Sequence, residues 1–241
     1  MKIISMLITP VMLATSISAV AQADTILTKT GKPLIITPIK HASIRILFDG
    51  KEIEVDPVTK LPPATDYSTY PKADYILVTH EHFDHCDKKA VEQLTKSGTI
   101  TITNANSAKL IGYGEVMKNG DRKTLQTMEV DAVPAYNNST EKQQFHPKGR
   151  DNGYVLTIDG LRIYIAGDTE DIDEMTTLKN IDVAFLPCNL PYTMTPEQCA
   201  KAARTIKPNI LYPYHFGDTE IERVAELLKD SGIEVRIRNF K

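Results

Sequence analysis

Cysteine is scarce, with three residues in a chain of 241. That is too few for the disulfide framework on which small secreted scaffolds depend, and a chain of this length can bury a core without one. No run of lysine or arginine occurs, and 28 basic against 31 acidic residues give a formal net charge of -3. A nucleic-acid partner held by charge is thereby excluded. After the first 23 residues no apolar stretch is long enough to cross a bilayer, and no Gly/Ser-rich or Pro-rich linker divides the chain. The nucleophile elbow Gly-x-Ser-x-Gly is missing, and Gly112-Tyr113-Gly114 lacks the third glycine of a dinucleotide loop. The helical zinc motif His-Glu-x-x-His is missing too, because His80-Glu81 is followed by Asp84 where its second histidine belongs. Serine hydrolases, nucleotide-cofactor enzymes and zincin peptidases lose their support. What is present, 41% hydrophobic and 24% charged residues, is the balance of a folded protein, not of a disordered, collagenous or coiled-coil chain.

Residues 1–23 carry one charge at Lys2, then an apolar stretch from Ile3, then small residues offering Ala19-Val20-Ala21 or Ala21-Gln22-Ala23 as cleavage triplets. Pro10 and the hydroxyl residues Thr9, Thr15, Ser16 and Ser18 dilute the apolar run, and no charged stop-transfer cluster follows. This is the pattern of a secretory signal peptide, not an anchor. The expected product is a periplasmic or secreted protein spanning 24–241, without a membrane anchor and with a net charge of -4 once Lys2 is gone.

Short β-type runs dominate the mature chain: 34–37, 43–48 and 52–55, the last two joined by the hairpin dipeptide Asp49-Gly50. An apolar strand at 74–78 ends abruptly in a polar cluster and is followed by a helical stretch near 88–97. Strands are also expected at 99–103, 124–133, 153–158, 161–166, 183–186, 210–212 and 234–237, with helices near 196–206 and 219–228. Asp159-Gly160 marks a second hairpin. Hairpins followed by alternating strands and helices occur twice, which predicts one α/β domain of two packed sheets with helices outside. The segment 137–152 is expected as a loop over one face.

Three of the six histidines, His80, His82 and His85, fall within six positions together with Asp84, directly after a strand. Alternate residues beyond a strand point the same way, so His80 and His82 can converge on one cation while Asp84 and His85 face another. Imidazole suits zinc and neighbouring first-row ions, and the carboxylate extends the range to harder metals.

The segment THEHFDH (79–85) matches the His-x-His-x-Asp-His signature of the metallo-β-lactamase superfamily, and Ala166-Gly167-Asp168-Thr169 and the late His215 follow in that family's order. The early His41-Ala42-Ser43 makes the chain most similar to its single-domain branch, which includes ascorbate-phosphate lactonase-like hydrolases. The resemblance implies a four-layer αβ/βα sandwich. It implies that His80 and His82 bind a first metal, that Asp84, His85 and His215 bind a second, and that Asp168 bridges them, with Asp84 and Asp168 as the catalytic carboxylates. Two divalent ions are implied, zinc in the first instance, with manganese or iron as alternatives. The family's further first-site histidine is missing, and Asn137 stands at its place. Either Asn137 is a poor ligand or His146 swings in from the loop to replace it; imidazole being the commoner ligand, His146 is expected.

His41 is expected beside the ligands and not among them. Tyr136, Asn137, Lys148, Arg150, Tyr192 and Thr193 lie in loops next to ligand-bearing segments and are expected to line the substrate site, with Lys148 and Arg150 hinting at an anionic small molecule. Cys86 is expected to be a small buried residue, and Cys188 and Cys199 could pair in an oxidising compartment. The expected activity is hydrolysis of an ester, lactone or phosphodiester by metal-bound hydroxide. A non-catalytic metal-binding or sensing module with the same fold is the alternative that a weakened first site would permit, and an iron-holding redox member of the superfamily is a third. Oligomeric state leaves no mark on the sequence.

Overall fold

The computed structural model describes residues 22–240. The expected signal peptide lies, but for its last two residues, outside them. The second strand, β2 (Pro33–Lys40), alternates between buried and half-buried side chains along nearly its whole length, because successive residues of a strand face opposite ways. It pairs antiparallel with β1 (Asp24–Leu27) and β3 (Ser43–Phe48), and β3 pairs in turn with β4 (Lys51–Val55). The β3–β4 turn places Asp49 and Gly50 at φ of 50° and 73°, the paired left-handed residues a two-residue hairpin needs. Beyond β4 the sheet becomes parallel, adding β5 (Tyr75–Leu77), β6 (Ile100–Thr103) and β7 (Glu115–Val116).

The second sheet repeats this plan. Strands β8 (Arg122–Thr124), β9 (Glu129–Ala135), β10 (Asp151–Ile158) and β11 (Leu161–Ile165) are antiparallel, and β12 (Val183–Pro187), β13 (Ile210–Tyr214) and β14 (Glu234–Val235) continue parallel. Each sheet has seven strands in sequence order. Their facing sides share one core: Ile36, Ile46, Val55 and Leu77 from the first meet Leu156, Ile163, Phe185 and Leu211 from the second. A second cluster lies under the helix α1 (Lys88–Leu94), joining Ala90, Val91 and Leu94 to Ile76, Val78 and Tyr67, with Ile111 of α2 (Ala105–Ile111). Two sheets flanked by helices form the expected α/β sandwich.

The helix α3 (Pro196–Ile206) has the bounds that its sequence predicts. Thr195 caps it with a reciprocal box: Gln198 donates its backbone N–H to Thr195 Oγ1, and Thr195 donates its own to Gln198 Oε1. Proline at its first position costs nothing, since that N–H has no partner in a helix. Elsewhere the boundaries move. The run expected at 124–133 is two strands separated by a turn, and the helix expected from 219 begins only at Glu222, as α4 (Glu222–Leu228). Residues 151 and 152, expected in the loop, belong to β10. Cys86, Cys188 and Cys199 are buried free thiols, so the pairing allowed for Cys188 and Cys199 is not formed.

On the outer face of β4, Glu54 is fully buried and neither carboxyl oxygen has a hydrogen-bond partner. Arg45 stands opposite, its Nε 3.9 Å away, but its guanidinium donates to Glu52 at 2.8 and 2.6 Å. Burial therefore outweighs attraction, and the Glu54 carboxyl is pushed up to about 8. A folded-state value above the unfolded one means that stability is greatest at low pH and falls as pH rises from the ordinary glutamate range toward 8. Glu54→Gln should remove that decline. Its stability advantage over the parent should widen by roughly 3 kcal/mol between about pH 5 and pH 8 in denaturant titrations. A pH-independent difference would show that Glu54 is ionised in the fold.

Candidate metal centre

The carboxyl-terminal ends of the strands deliver the polar residues to one edge of the sandwich. His80, His82, Asp84 and His85 follow β5, Asp56 follows β4, Asp168 follows β11 and His215 follows β13, while His41 sits in the turn between β2 and β3. Three of these, His41, Asp56 and His215, hold φ near +48°, +44° and +49°. Left-handed backbone at non-glycine residues is unfavourable, and it persists only where surrounding structure imposes it. Here the His215 N–H donates to the His41 carbonyl at 3.0 Å, locking the two turns together. Gly167 precedes Asp168 at φ +65°, and a Cβ there would lie 2.9 Å from the Asn152 carbonyl oxygen. Only glycine lets the chain turn so close to β10.

Two sets of side chains result. His80, His82 and His146 bring ligand atoms together in one, and His41, Asp84, His85 and His215 in the other. Asp168 stands between them. Its Oδ2 lies 3.3 Å from His146 Nε2 and 3.9 Å from His80 Nε2, while its Oδ1 lies 3.2 Å from His85 Nε2 and 3.4 Å from His215 Nε2. His215 Nε2 is also 3.5 Å from Asp84 Oδ2. Despite these distances, Asp168 Oδ1, His85 Nε2 and His215 Nε2 are buried without an aligned hydrogen-bond partner. They point at a shared space, and not at one another. Buried polar atoms need a partner, and a divalent cation ligated by imidazole and carboxylate would supply it.

The far side of three of the rings is held. His80 Nδ1 lies 3.0 Å from Thr79 Oγ1, His85 Nδ1 2.8 Å from Asp56 Oδ2, and His146 Nδ1 3.2 Å from Asp151 Oδ2. Fixing Nδ1 leaves Nε2 to face the centre, which is how histidine ligands are oriented in metal sites. Asp56 is itself gripped by the Thr79 N–H and hydroxyl, each at 2.7 Å. His41 Nε2 lies 3.0 Å from Asp84 Oδ2, and its ring centre is 3.8 Å from that of His215.

Charge at the centre is set by burial and by mutual compensation. Burial drives His80 well below the ordinary imidazole value, and lowers His82 and His41. Burial alone would raise Asp168, but His215, His85 and His146 outweigh it and hold its carboxyl well below the usual range. At His85 burial is likewise overcome, by Asp168 and Asp56, and the ring is raised well above its usual value. Asp84 is ionised, because His215 and His41 outweigh its burial.

The loop 137–150 carries His146 into this site, and its anchors were not legible in the sequence. Glu170, fully buried, accepts from the Ser139 N–H and hydroxyl at 2.7 Å each and pairs with Lys142 at 2.9 Å. Thr169 donates to the Tyr136 carbonyl at 2.8 Å. Asn137 is not grouped with the histidines. Its amide donates to the Lys142 and Tyr192 carbonyls at 3.1 and 2.7 Å, tying this loop to the one after β12. Thr193 is buried in that second loop, its hydroxyl accepting from the Asn189 N–H at 2.8 Å. Lys148 turns away to Glu174 at 2.7 Å, and Tyr136 donates to the same carboxylate at 2.8 Å. Arg150 donates to Asp151 and to the Phe145 carbonyl, and its Nη2 lies 3.5 Å from His82 Nε2. Of the six residues expected to line the substrate site, Tyr192 alone borders the cavity at the centre. The residues missed, Asp56, Asp151 and Glu170, each carry a faint mark: a carboxylate that ends a strand, begins one, or directly follows Gly-Asp-Thr.

The family described as the β-lactamase superfamily domain matches residues 35–215. A protein of Ligilactobacillus salivarius named as a UPF0173 metal-dependent hydrolase is 36% identical over 186 residues, covering 73% of this chain and 82% of its own. One of Thermococcus onnurineus with the same name is 32% identical, covering 73% and 81%. A crystal structure from Parabacteroides distasonis, of a protein assigned as a metal-dependent hydrolase, superposes with a TM-score of 0.89 at 56% identity, covering 92% of this chain and all of its own. A metallo hydrolase of Ignicoccus hospitalis, 24% identical, shares the fold with a TM-score of 0.71, covering 85% of this chain and 94% of its own.

Glu170 touches no ligand, so its effect must pass through the loop. Glu170→Ala should weaken retention of a divalent ion about tenfold in chelator competition, and should speed amide hydrogen exchange across 137–150. Faster exchange with unchanged retention would mean that the loop carries no ligand.

Proposed function

The chain belongs to the β-lactamase superfamily as a metal-dependent hydrolase, and from that premise we propose that it is an exported enzyme holding two divalent ions, zinc by preference. The observation that carries the proposal is the placement of Asp168, with one carboxylate oxygen toward His80 and His146 and the other toward His85 and His215. A carboxylate so placed suits a bridge. His80, His82 and His146 would hold one ion, and Asp84, His85 and His215 the other. When bound, such ions polarise a carbonyl or phosphoryl oxygen and acidify coordinated water toward neutrality.

The chain's own residues do the rest. Asp56 and Asp151 orient the rings of His85 and His146, and His41 orients the Asp84 carboxylate. Asp168, ionised and buried, is the group able to orient a nucleophilic water between the two sets. The reaction is hydrolysis of a small molecule at an ester, lactone or related bond. With His146 beside His80 and His82, no observation favours a non-catalytic module.

Export rests on the pattern of residues 1–23 with its two cleavage triplets, the remainder forming the hydrolase domain 24–241. Among the described residues no helix is long and apolar enough to cross a membrane. Intact-mass analysis of the protein recovered from a periplasmic extract should give a chain beginning at Gln22 or Asp24. An unprocessed chain confined to the cytosol would overturn export.

Elemental analysis after mild dialysis should find about two ions per chain, falling toward one in His146→Ala. Asp168→Asn should lower kcat on an ester and lactone panel by at least about a hundredfold. One ion or fewer in both proteins would remove the dinuclear reading, and full activity in Asp168→Asn would remove the catalytic one.

A further inference from the structure

We propose that the site takes an uncharged carbonyl compound bearing an aryl or similarly flat apolar group beside the scissile bond, gripped by Phe83, Phe145 and Tyr192. This rests on the hydrolase reading above and names its substrate class. The cavity at the centre has a volume of about 310 Å³, enough for a small ring with its reacting group. Apart from histidines and aspartates, it is lined by those three aromatic rings and by Asn189.

Phe83 lies between His82 and Asp84 and is 75% exposed. A phenyl ring in that position contributes little to the core, and water is a poor environment for it. Its neighbours in sequence fix it at the cavity mouth. Phe145 stands beside His146 in the same way, and it meets Tyr192 edge to face with ring centres 5.2 Å apart. Edge-to-face rings present a slot that a further flat ring fills well. Tyr192 is 44% exposed, so the slot opens outward.

No lysine or arginine is among the lining residues. Lys148 is turned to Glu174, and Arg150 pairs with Asp151 behind His82, its Nη2 3.5 Å from His82 Nε2 and outside the cavity lining. Away from the reacting group that the ions would take, a further carboxylate or phosphate on the substrate would lie against apolar rings with no lining lysine or arginine to meet it. The proposed substrate thereby departs from the anionic one that Lys148 and Arg150 suggest in the sequence. Asn189 offers an amide for a carbonyl or ring heteroatom, which fits an ester, lactone or amide carbonyl.

The test measures binding, and not turnover, with three metal-chelating probes on protein whose metal content has been verified: acetohydroxamic acid, benzohydroxamic acid and 4-carboxybenzohydroxamic acid. By titration calorimetry benzohydroxamate should bind at least about tenfold more tightly than acetohydroxamate, and the carboxylated probe no more tightly than benzohydroxamate. In Phe83→Ser and in Tyr192→Ser the benzo-to-aceto ratio should fall to within about threefold, with metal content retained. A ratio near one in the parent, a carboxylated probe that binds most tightly and loses its advantage in Arg150→Ala, or no binding by any probe would each overturn the inference. Ester turnover without aryl preference would overturn it while leaving the hydrolase reading intact. Aryl-selective binding by a protein that hydrolyses nothing would remove the hydrolase reading and leave the aromatic slot.

Discussion

A carboxylate buried as deeply as that of Asp168 survives in ionised form only if its charge is answered on all sides. Removing a single carboxylate from water costs several kcal/mol even after relaxation, far more than one exposed ion pair returns. Four imidazoles surround it, two beside each oxygen, of which His215, His85 and His146 offset its charge, and they come from different parts of the chain or from separate turns of it. Much of the architecture follows from that demand. The second sheet supplies Asp168 and His215, the first supplies His80 and His85, and the loop leaving β9 supplies His146, so the centre forms only when both sheets have packed.

The two sheets are built alike, four antiparallel strands passing into parallel ones, and the parallel strands end on the same edge. Strand ends suit such a centre, because a chain leaving a sheet can turn sharply while the sheet holds its base. The cost appears in the backbone. His41, Asp56 and His215 adopt left-handed conformations that their side chains disfavour, and Gly167 does so beside a carbonyl that leaves no room for a Cβ. Hydrogen bonds pin these turns: the His215 N–H donates to the His41 carbonyl, and the Thr79 N–H donates to the Asp56 carboxylate. The strain is thereby distributed over a network, which keeps it where it orients a ligand.

How much of this could be read beforehand depends on distance along the chain. The THEHFDH cluster, the bounds of α3 and the two Asp-Gly hairpins are local, written within a few residues, and each was legible. His146 was legible too, though only as a loop histidine near a missing ligand. Asp56, Asp151 and Glu170 act across 29, 5 and 31 positions, and nothing near them states which ring or loop they will meet. The carboxylate partners of Lys148 and Arg150 were hidden for the complementary reason. A cation in a loop seems free until the structure shows the carboxylate that has already claimed it. Asn137 is the clearest case: it occupies the slot of an expected ligand, yet its amide serves the backbone of two loops. The polar residue type was right for the site, but which atoms it would face was decided by loops that meet only in three dimensions.

Ligands and mouth obey different constraints. Every histidine in the two sets except His82 and His41 is essentially inaccessible to water, and His80, His85 and His146 are held by hydrogen bonds at Nδ1, so a change there costs fold and chemistry together. Phe83 and Tyr192 are exposed and lie on loops, and neither belongs to the core of the sandwich. They can be exchanged without loss of packing. A site divided in this way keeps its reaction while its substrate changes, which is why likeness of fold carries the hydrolytic chemistry across relatives and says little of what each one cleaves. The identity of the substrate is therefore held by the few side chains at the rim that contribute least to stability.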